Sequence, residues 1–351
     1  MSDLARELQE RVQEAVAEKR PLELRGGGTK IFYGREPFGD RLEVKGHSGV
    51  VNYEPRELVL TARAGTPLAE IEQLLAEQGQ MLPFEPPRFG EQATLGGTIA
   101  CALSGSRRPW SGSARDFVLG VRMINGRGEM LRFGGEVMKN VAGYDVSRLM
   151  CGALGTLGLL LEISLKVLPR PEEELTLVQV RNAEEALQLM NRWSGKPLPL
   201  SAACFDGLYL HLRLSGTPTA VAAGRERLGG EVLEQGSAYW RNLDEQRHAF
   251  FRDERPLWRL SLPSTTPWFE LPDKQFIDWG GAQRWLVSDA PPAQIRRKAE
   301  TLGGSATRFR GGDRSLSFHP LPEGLMQLHR RLKQAFDPAG IFNPGRLYPE
   351  F

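Results

Sequence analysis

Apolar residues recur at every fourth position from Leu4 through Leu8 and Val12 to Val16, which is the period of an amphipathic helix. The pattern stops before Pro21. Residues 58–62 read as a strand, and Thr66-Pro67 predicts a helix start, because proline tolerates the first helical position and a threonine hydroxyl can cap it. That helix is expected to run to about Gln78 and to stop at Gly79. Residues 117–124 and 129–133 are strand-like runs joined by Asn125-Gly126-Arg127-Gly128, whose Asn-Gly favours a tight hairpin. Asp145 can cap a short helix ending near Gly152, and residues 157–167 then read as a buried strand.

The sharpest break in composition is Arg170-Pro171-Glu172-Glu173-Glu174, a proline and an acidic run after a long apolar strand. A domain boundary is expected there, dividing 1–170 from 171–335, with 336–351 as a closing segment. The second region alternates strands near 175–180, 201–214, 257–262, 275–279 and 283–287 with helices near 183–193, 217–228, 292–302 and 325–336. That order predicts helices on one face of an antiparallel sheet, and the fold class is therefore α+β.

Composition narrows the chemistry. The 351 residues are enough for two cores, and a 40% hydrophobic, 25% charged mixture is that of an ordinary globular protein. Net charge is +2 with no cationic block, which argues against nucleic acid as a partner. The most apolar stretch, 157–168, contains Glu162 and Lys166 and falls short of the roughly 20 residues a spanning helix needs. With Asp3, Glu7 and Glu10 where a signal peptide would be cationic and then apolar, no transmembrane segment and a cytoplasmic location are expected. Cys101, Cys151 and Cys204 are far apart and are expected to be packed thiols. An iron-sulfur cluster, which needs about four clustered thiolates, would have to sit on another chain.

Three glycine-bearing segments stand out before residue 160. They are Arg25-Gly26-Gly27-Gly28-Thr29-Lys30, then Thr94-Leu95-Gly96-Gly97-Thr98 with Ser104-Gly105 following, and Gly152-Ala153-Leu154-Gly155-Thr156-Leu157-Gly158. Successive glycines allow positive φ and let several N–H groups converge on one anion, and Arg25, Thr29 and Lys30 would complete such a site. The first segment lacks the Walker spacing, because Lys30 follows Thr29 and precedes Ile31, and it does not open a helix as a Rossmann fingerprint must.

In order, these segments resemble the FAD-binding domain of the vanillyl-alcohol oxidase and p-cresol methylhydroxylase (PCMH) superfamily over about residues 23–169, and Phe336-Asp337-Pro338-Ala339-Gly340-Ile341-Phe342-Asn343-Pro344-Gly345-Arg346 resembles its closing motif. Arg108-Pro109-Trp110-Ser111-Gly112-Ser113-Ala114-Arg115-Asp116-Phe117, residues 133–145 and Asp278-Trp279-Gly280-Gly281-Ala282 narrow the resemblance to the flavin subunits of bacterial glycolate oxidase. The resemblance implies a two-subdomain PCMH-type domain followed by a smaller α+β cap. It implies FAD as cofactor, with Arg25, Gly26, Gly27, Gly28, Thr29 and Lys30 at the pyrophosphate. Thr94, Leu95, Gly96, Gly97, Thr98, Ser104 and Gly105 would lie along the dinucleotide, and Arg115 and Asp116 would close on it. Gly155, Gly158, Leu159 and Leu160 would pass near the adenine, and Asn343 would return to the flavin. It also implies a small 2-hydroxy acid as substrate of a complex with a related larger flavin subunit and an iron-sulfur subunit.

Two departures from the pattern matter. Relatives with covalent flavin often carry a histidine near the end of the first glycine loop, where this chain has Thr29-Lys30, so noncovalent FAD is expected. Relatives that oxidise 2-hydroxy acids carry histidines beside a glycine-rich segment of the second domain, and here Phe309-Arg310-Gly311-Gly312-Asp313-Arg314 has none before His319. A free-standing dehydrogenase and a noncatalytic subunit therefore remain open beside the leading reading. His319 and His329 read as surface or hydrogen-bonded residues, and Arg115-Asp116 equally as an ion pair closing a turn. Trp279 and Trp285 read as core or interface. Lys139 and Tyr144 receive no catalytic role.

Overall fold

The computed structural model describes residues 3–135, 144–269 and 273–351. Lys139 lies outside them. The N-terminal helix Ala5–Glu18 buries Ala5, Leu8, Val12 and Ala15 and ends at Lys19, whose φ is +54°. The helix Leu68–Glu77 follows as its pattern predicts, but Thr66 is not its cap. The Thr66 hydroxyl instead donates to Arg63 O at 2.7 Å and accepts from Gly49 N at 2.9 Å, tying two loops together.

A five-stranded antiparallel sheet runs in the order Val50–Glu54, Val59–Arg63, Leu159–Lys166, Val118–Ile124, Met130–Gly134. Asn125 makes the last hairpin, its Oδ1 accepting from Arg127 N and Glu129 N. Beside this sheet, Leu22–Arg25 pairs in parallel with Asp40–Glu43. One hydrophobic core joins the sheet to the two helices and the tail residues Ile341 and Phe342.

From Glu173 onward the chain builds an eight-stranded antiparallel sheet. The second region thus carries the largest sheet among the described residues. Its outermost full strand, Ser305–Arg310, and the helix Gly236–Asp244 have no counterpart in the periodicity argument.

The tail returns to the first region. Leu22 N donates to Ile341 O at 2.7 Å and Asn343 N to Leu22 O at 2.9 Å. Burying Ile341 and Phe342, at 1% and 0% exposure, contributes about 1.5–3 kcal/mol each. Below them Lys333 Nζ donates to Asp337 Oδ2, Thr156 O and Phe342 O, at 2.7, 2.9 and 2.7 Å. Asp337→Asn is expected to lower stability by about 2–3 kcal/mol, because it strips the charge from a buried charge-assisted bond. Denaturant unfolding measures the loss, and a change under about 0.5 kcal/mol would mean the pair does not hold the tail.

Candidate functional site

A trough runs between the glycine segments. Leu24, Arg25, Gly26, Thr94, Gly97, Ala100, Leu154 and Asn343 line its middle. One end continues to Gly27, Gly28, Thr29, Lys30, Cys101 and Arg346, and the other to Gly96, Gly155, Gly158, Leu159 and Leu160. The three glycine segments and the tail, far apart in sequence, therefore share one surface.

The first triplet divides its labour. A Cβ on Gly26 would lie 2.5 Å from Thr94 Oγ1, and one on Gly27 would lie 1.5 Å from Gln92 O. Gly27 is a glycine because the backbone of residues 92–93 presses against it, and Gly26 because the Thr94 side chain does. Only Gly28, at φ +72°, needs glycine for its own conformation. The close packing leaves the other face of the loop free. Among the described residues, none of the backbone N–H groups from 26 to 30 donates a hydrogen bond. A row of amides open to a trough suits an anion, and its extension in both directions suits a long ligand with its phosphates in the middle.

The side chains modify this picture. Thr29 Oγ1 donates to Arg88 O at 2.7 Å, and Lys30 Nζ donates to the same oxygen at 3.2 Å. Burial lowers the Lys30 pKa. Arg25 is paired with Glu23. The anion site is thus mainly backbone, with cations behind it. Asn343 is structural as well as lining: at φ +41°, its Oδ1 accepts from Leu24 N at 2.8 Å and its Nδ2 donates to Leu154 O at 2.6 Å.

Thr94 Oγ1 accepts from Gly97 N at 3.3 Å and caps a short helix, Leu95–Cys101. Leu95 and Thr98 are buried on that helix and do not line the trough. Arg115 and Asp116 lie apart and exposed. Asp116 Oδ2 accepts from Ser113 N and Oγ, 2.8 Å each, so it caps its own short helix and does not pair with Arg115. Sequence reasoning missed Cys101, Leu154 and Arg346 as lining residues. Arg346 was visible only as the end of the tail motif, and its guanidinium, with its pKa lowered to about 10 by burial, donates to Ile31, Tyr33 and Arg35 carbonyls.

Ser104 and Gly105 belong to the junction between the two regions. Ser104, Asp244, Asp278, Gln283, Arg259 and Trp285 line a cavity of about 30 Å³, room for a water molecule or two. Burial pushes the Asp278 carboxyl up to about 7 and the Asp244 carboxyl well above the usual range, the latter helped by Glu85. Trp279 Nε1 donates to Gly105 O at 3.1 Å, with Arg108 over its ring, while Trp285 packs in the second region's aromatic core. Arg314, beyond Gly311-Gly312, donates to the carbonyls of Ile31, Gly34 and Arg35. This segment docks onto the chain that follows the first glycine loop. His319 accepts from Ala306 N and faces Glu300, and His329 sits on an exposed helix face.

Comparison with known proteins agrees with this geometry. Residues 4–134 match the FAD binding domain family, and residues 320–347 match the C-terminal domain of FAD linked oxidases. The structure is similar to that of alkyldihydroxyacetonephosphate synthase, with a TM-score of 0.68 and 18% identity over 97% of this chain and 74% of that one. The glycolate oxidase subunit GlcD of Bacillus subtilis is 31% identical over 49% of this chain and 37% of its own length. A D-lactate dehydrogenase of Anaerostipes hadrus is 33% identical over 46% of this chain and 34% of its own. The glycolate oxidase subunit GlcE of Escherichia coli is 53% identical over 99% of this chain and 98% of its own. With an FAD-binding domain, an open row of amides in its trough and this end-to-end match, the chain belongs to the GlcE family of FAD-linked oxidoreductase subunits.

Proposed function

We propose that the chain is the FAD-binding subunit of a glycolate oxidase complex, holding FAD noncovalently in the trough. The observation that carries this reading is the free amide row from Gly26 to Lys30 within a chain 53% identical, end to end, to GlcE of Escherichia coli. Residues 26–30 would hold the pyrophosphate, and Thr94, Gly97 and Asn343 would line its flanks. Bound FAD supplies two-electron oxidation of an alcohol carbon and onward one-electron transfer. The protein's part is to bind, orient and shield it.

The complex would oxidise glycolate to glyoxylate and pass electrons to an iron-sulfur subunit. Oxidation of the hydroxy acid is assigned to the related larger flavin subunit. The junction cavity supports this division, because its 30 Å³ has room for a water molecule or two and not for a small carboxylate substrate. The purified chain is expected to show flavin absorbance, to release intact FAD into the supernatant on acid precipitation, and to reduce no dye with glycolate or D-lactate alone. Flavin that stays with the acid pellet contradicts noncovalent binding, and rapid dye reduction by the lone chain contradicts the division of labour.

A further inference from the structure

We propose that Glu245, in the second region, is a positioning residue for the flavin, setting the first glycine loop through a single peptide group. The inference rests on the FAD reading of the trough. Glu245 follows the helix Gly236–Asp244 and is its C-cap. Its Oε1 accepts from Arg88 N at 2.7 Å and its Oε2 from Phe89 N at 2.9 Å. One carboxylate thus grips two consecutive amides, the arrangement in which charge-assisted hydrogen bonds are strongest and most directional.

The peptide group between Arg88 and Phe89 is planar, so its N–H and its carbonyl point in opposite directions and move together. The N–H goes to Glu245. The carbonyl, Arg88 O, accepts from both Thr29 Oγ1 and Lys30 Nζ at the end of the glycine loop. Phe89 holds this geometry at φ +52°, a left-handed conformation that a bulky residue adopts only where its surroundings hold it. Hydrogen bonds at the two ends of one peptide also polarise it and strengthen each other. Lys30 is 7% exposed, and among the described residues its ammonium has no other hydrogen bond. Rotation of the peptide would strand a buried ammonium.

Asp244, the preceding residue, holds a second loop, accepting from Ser106 N and Oγ at 2.9 Å each. The end of one helix therefore grips the loop beneath the trough and the loop leading from it. Glu245 is the one with a path to the pyrophosphate loop. By reciprocity, FAD that orders residues 25–30 also favours docking of the second region by the same factor.

The test is a double-mutant cycle read as FAD affinity, by fluorescence titration of the flavin-free full chain. Glu245→Gln keeps one acceptor oxygen and the side-chain shape, so the fold persists while the paired grip is lost. It is expected to weaken FAD about tenfold, the equivalent of one good charged hydrogen bond. Thr29→Val is expected to weaken it severalfold. The double variant is expected to be no weaker than Glu245→Gln alone, because both act through the same carbonyl. Trp279→Phe, which removes the bond to Gly105 across the same junction, is expected to bind FAD like the unaltered chain. Affinity of Glu245→Gln within twofold of the unaltered chain overturns the proposal. So does a double variant whose losses multiply, since that is the pattern of two independent structural defects. An unaltered chain that takes up no FAD defeats the reading of the trough itself and this inference with it.

Discussion

Gly27→Ala is expected to leave the chain without flavin, whereas Gly28→Ala, one residue on, should leave it yellow. The difference comes from what each new methyl meets. At Gly27 it would lie 1.5 Å from Gln92 O and 2.5 Å from the Gln92 carbonyl carbon. Both are backbone atoms of the segment that leads into Thr94, so the loop itself must lift away and the amide row loses its register. At Gly28 the methyl lies 3.3 Å from Arg25 Nη1, the far end of a flexible side chain. The remaining cost is the left-handed φ of +72°, about 1–2 kcal/mol for a non-glycine residue. That corresponds to a roughly tenfold weaker FAD affinity if the strain is borne by the bound loop. Flavin absorbance of the two purified variants decides it. A Gly27→Ala chain that keeps its flavin would show that the loop has slack the packing does not show.

The second large effect is expected at Glu85, which links the two regions. Its carboxylate accepts from Arg107 Nε at 3.0 Å and from Arg213 Nη2 at 2.8 Å. Arg107 comes from the first region, is 7% exposed and also meets Glu174; Arg213 comes from the eight-stranded sheet and is 5% exposed. Glu85 itself sits at φ +43°, a strained backbone retained at a junction that the side chain closes. Glu85→Ala is expected to cost about 3–5 kcal/mol, because it relieves that strain little and leaves the buried Arg213 guanidinium without its carboxylate. Burial raises the Glu85 pKa, but Arg213 and Arg107 outweigh it and hold the carboxyl below the ordinary carboxylate value. The folded state therefore binds this proton less readily than the unfolded chain does. Its stabilisation is present above the unfolded pKa and is lost as pH falls through the folded one. Urea unfolding at neutral and at acid pH measures both points. The gap between the unaltered chain and the variant should narrow in acid, and a gap that widens there would contradict the assignment.

Much of the fold follows from local pattern. The period of Leu4, Leu8, Val12 and Val16 and the Asn125-Gly126 turn both correspond to elements of the structure. The misses have physical causes. The helix Gly236–Asp244 opens on glycine and mixes aromatic with polar residues, and it is held by tertiary contacts such as Trp240 Nε1 to Thr176 Oγ1 at 3.0 Å. The helix Leu95–Cys101 contains Gly96 and Gly97, poor helix formers. Gly96 is required there because a Cβ would lie 2.7 Å from that of Ala64. Burial against a neighbouring strand overrides propensity, and no local window contains that neighbour.

The site was legible where it is backbone. Glycine segments in sequence order marked the trough because close approach leaves a compositional trace. What glycine count could not divide was its use: Gly26 and Gly27 pack, and Gly28 turns. Glu245 left no trace, and Arg346 only its place at the end of the tail motif, since each acts on carbonyl or amide groups more than 150 residues away. Most non-glycine residues with positive φ mark the same places. Glu85, Phe89, Leu154, Gln246, Trp279 and Asn343 lie on the trough or the junction, whereas Lys19, Leu58 and Ala102 line neither. Such strain is kept where the surroundings over-determine it.

The most direct measurement is amide hydrogen exchange at residues 26–30 of the full chain with and without FAD. These N–H groups have no protein partner among the described residues, and they should exchange fast in the flavin-free chain. FAD is expected to slow them strongly while leaving the amides of Asp116 and its short helix unchanged. Protection elsewhere in the chain with no change at 26–30 would contradict the reading of this loop as the pyrophosphate site.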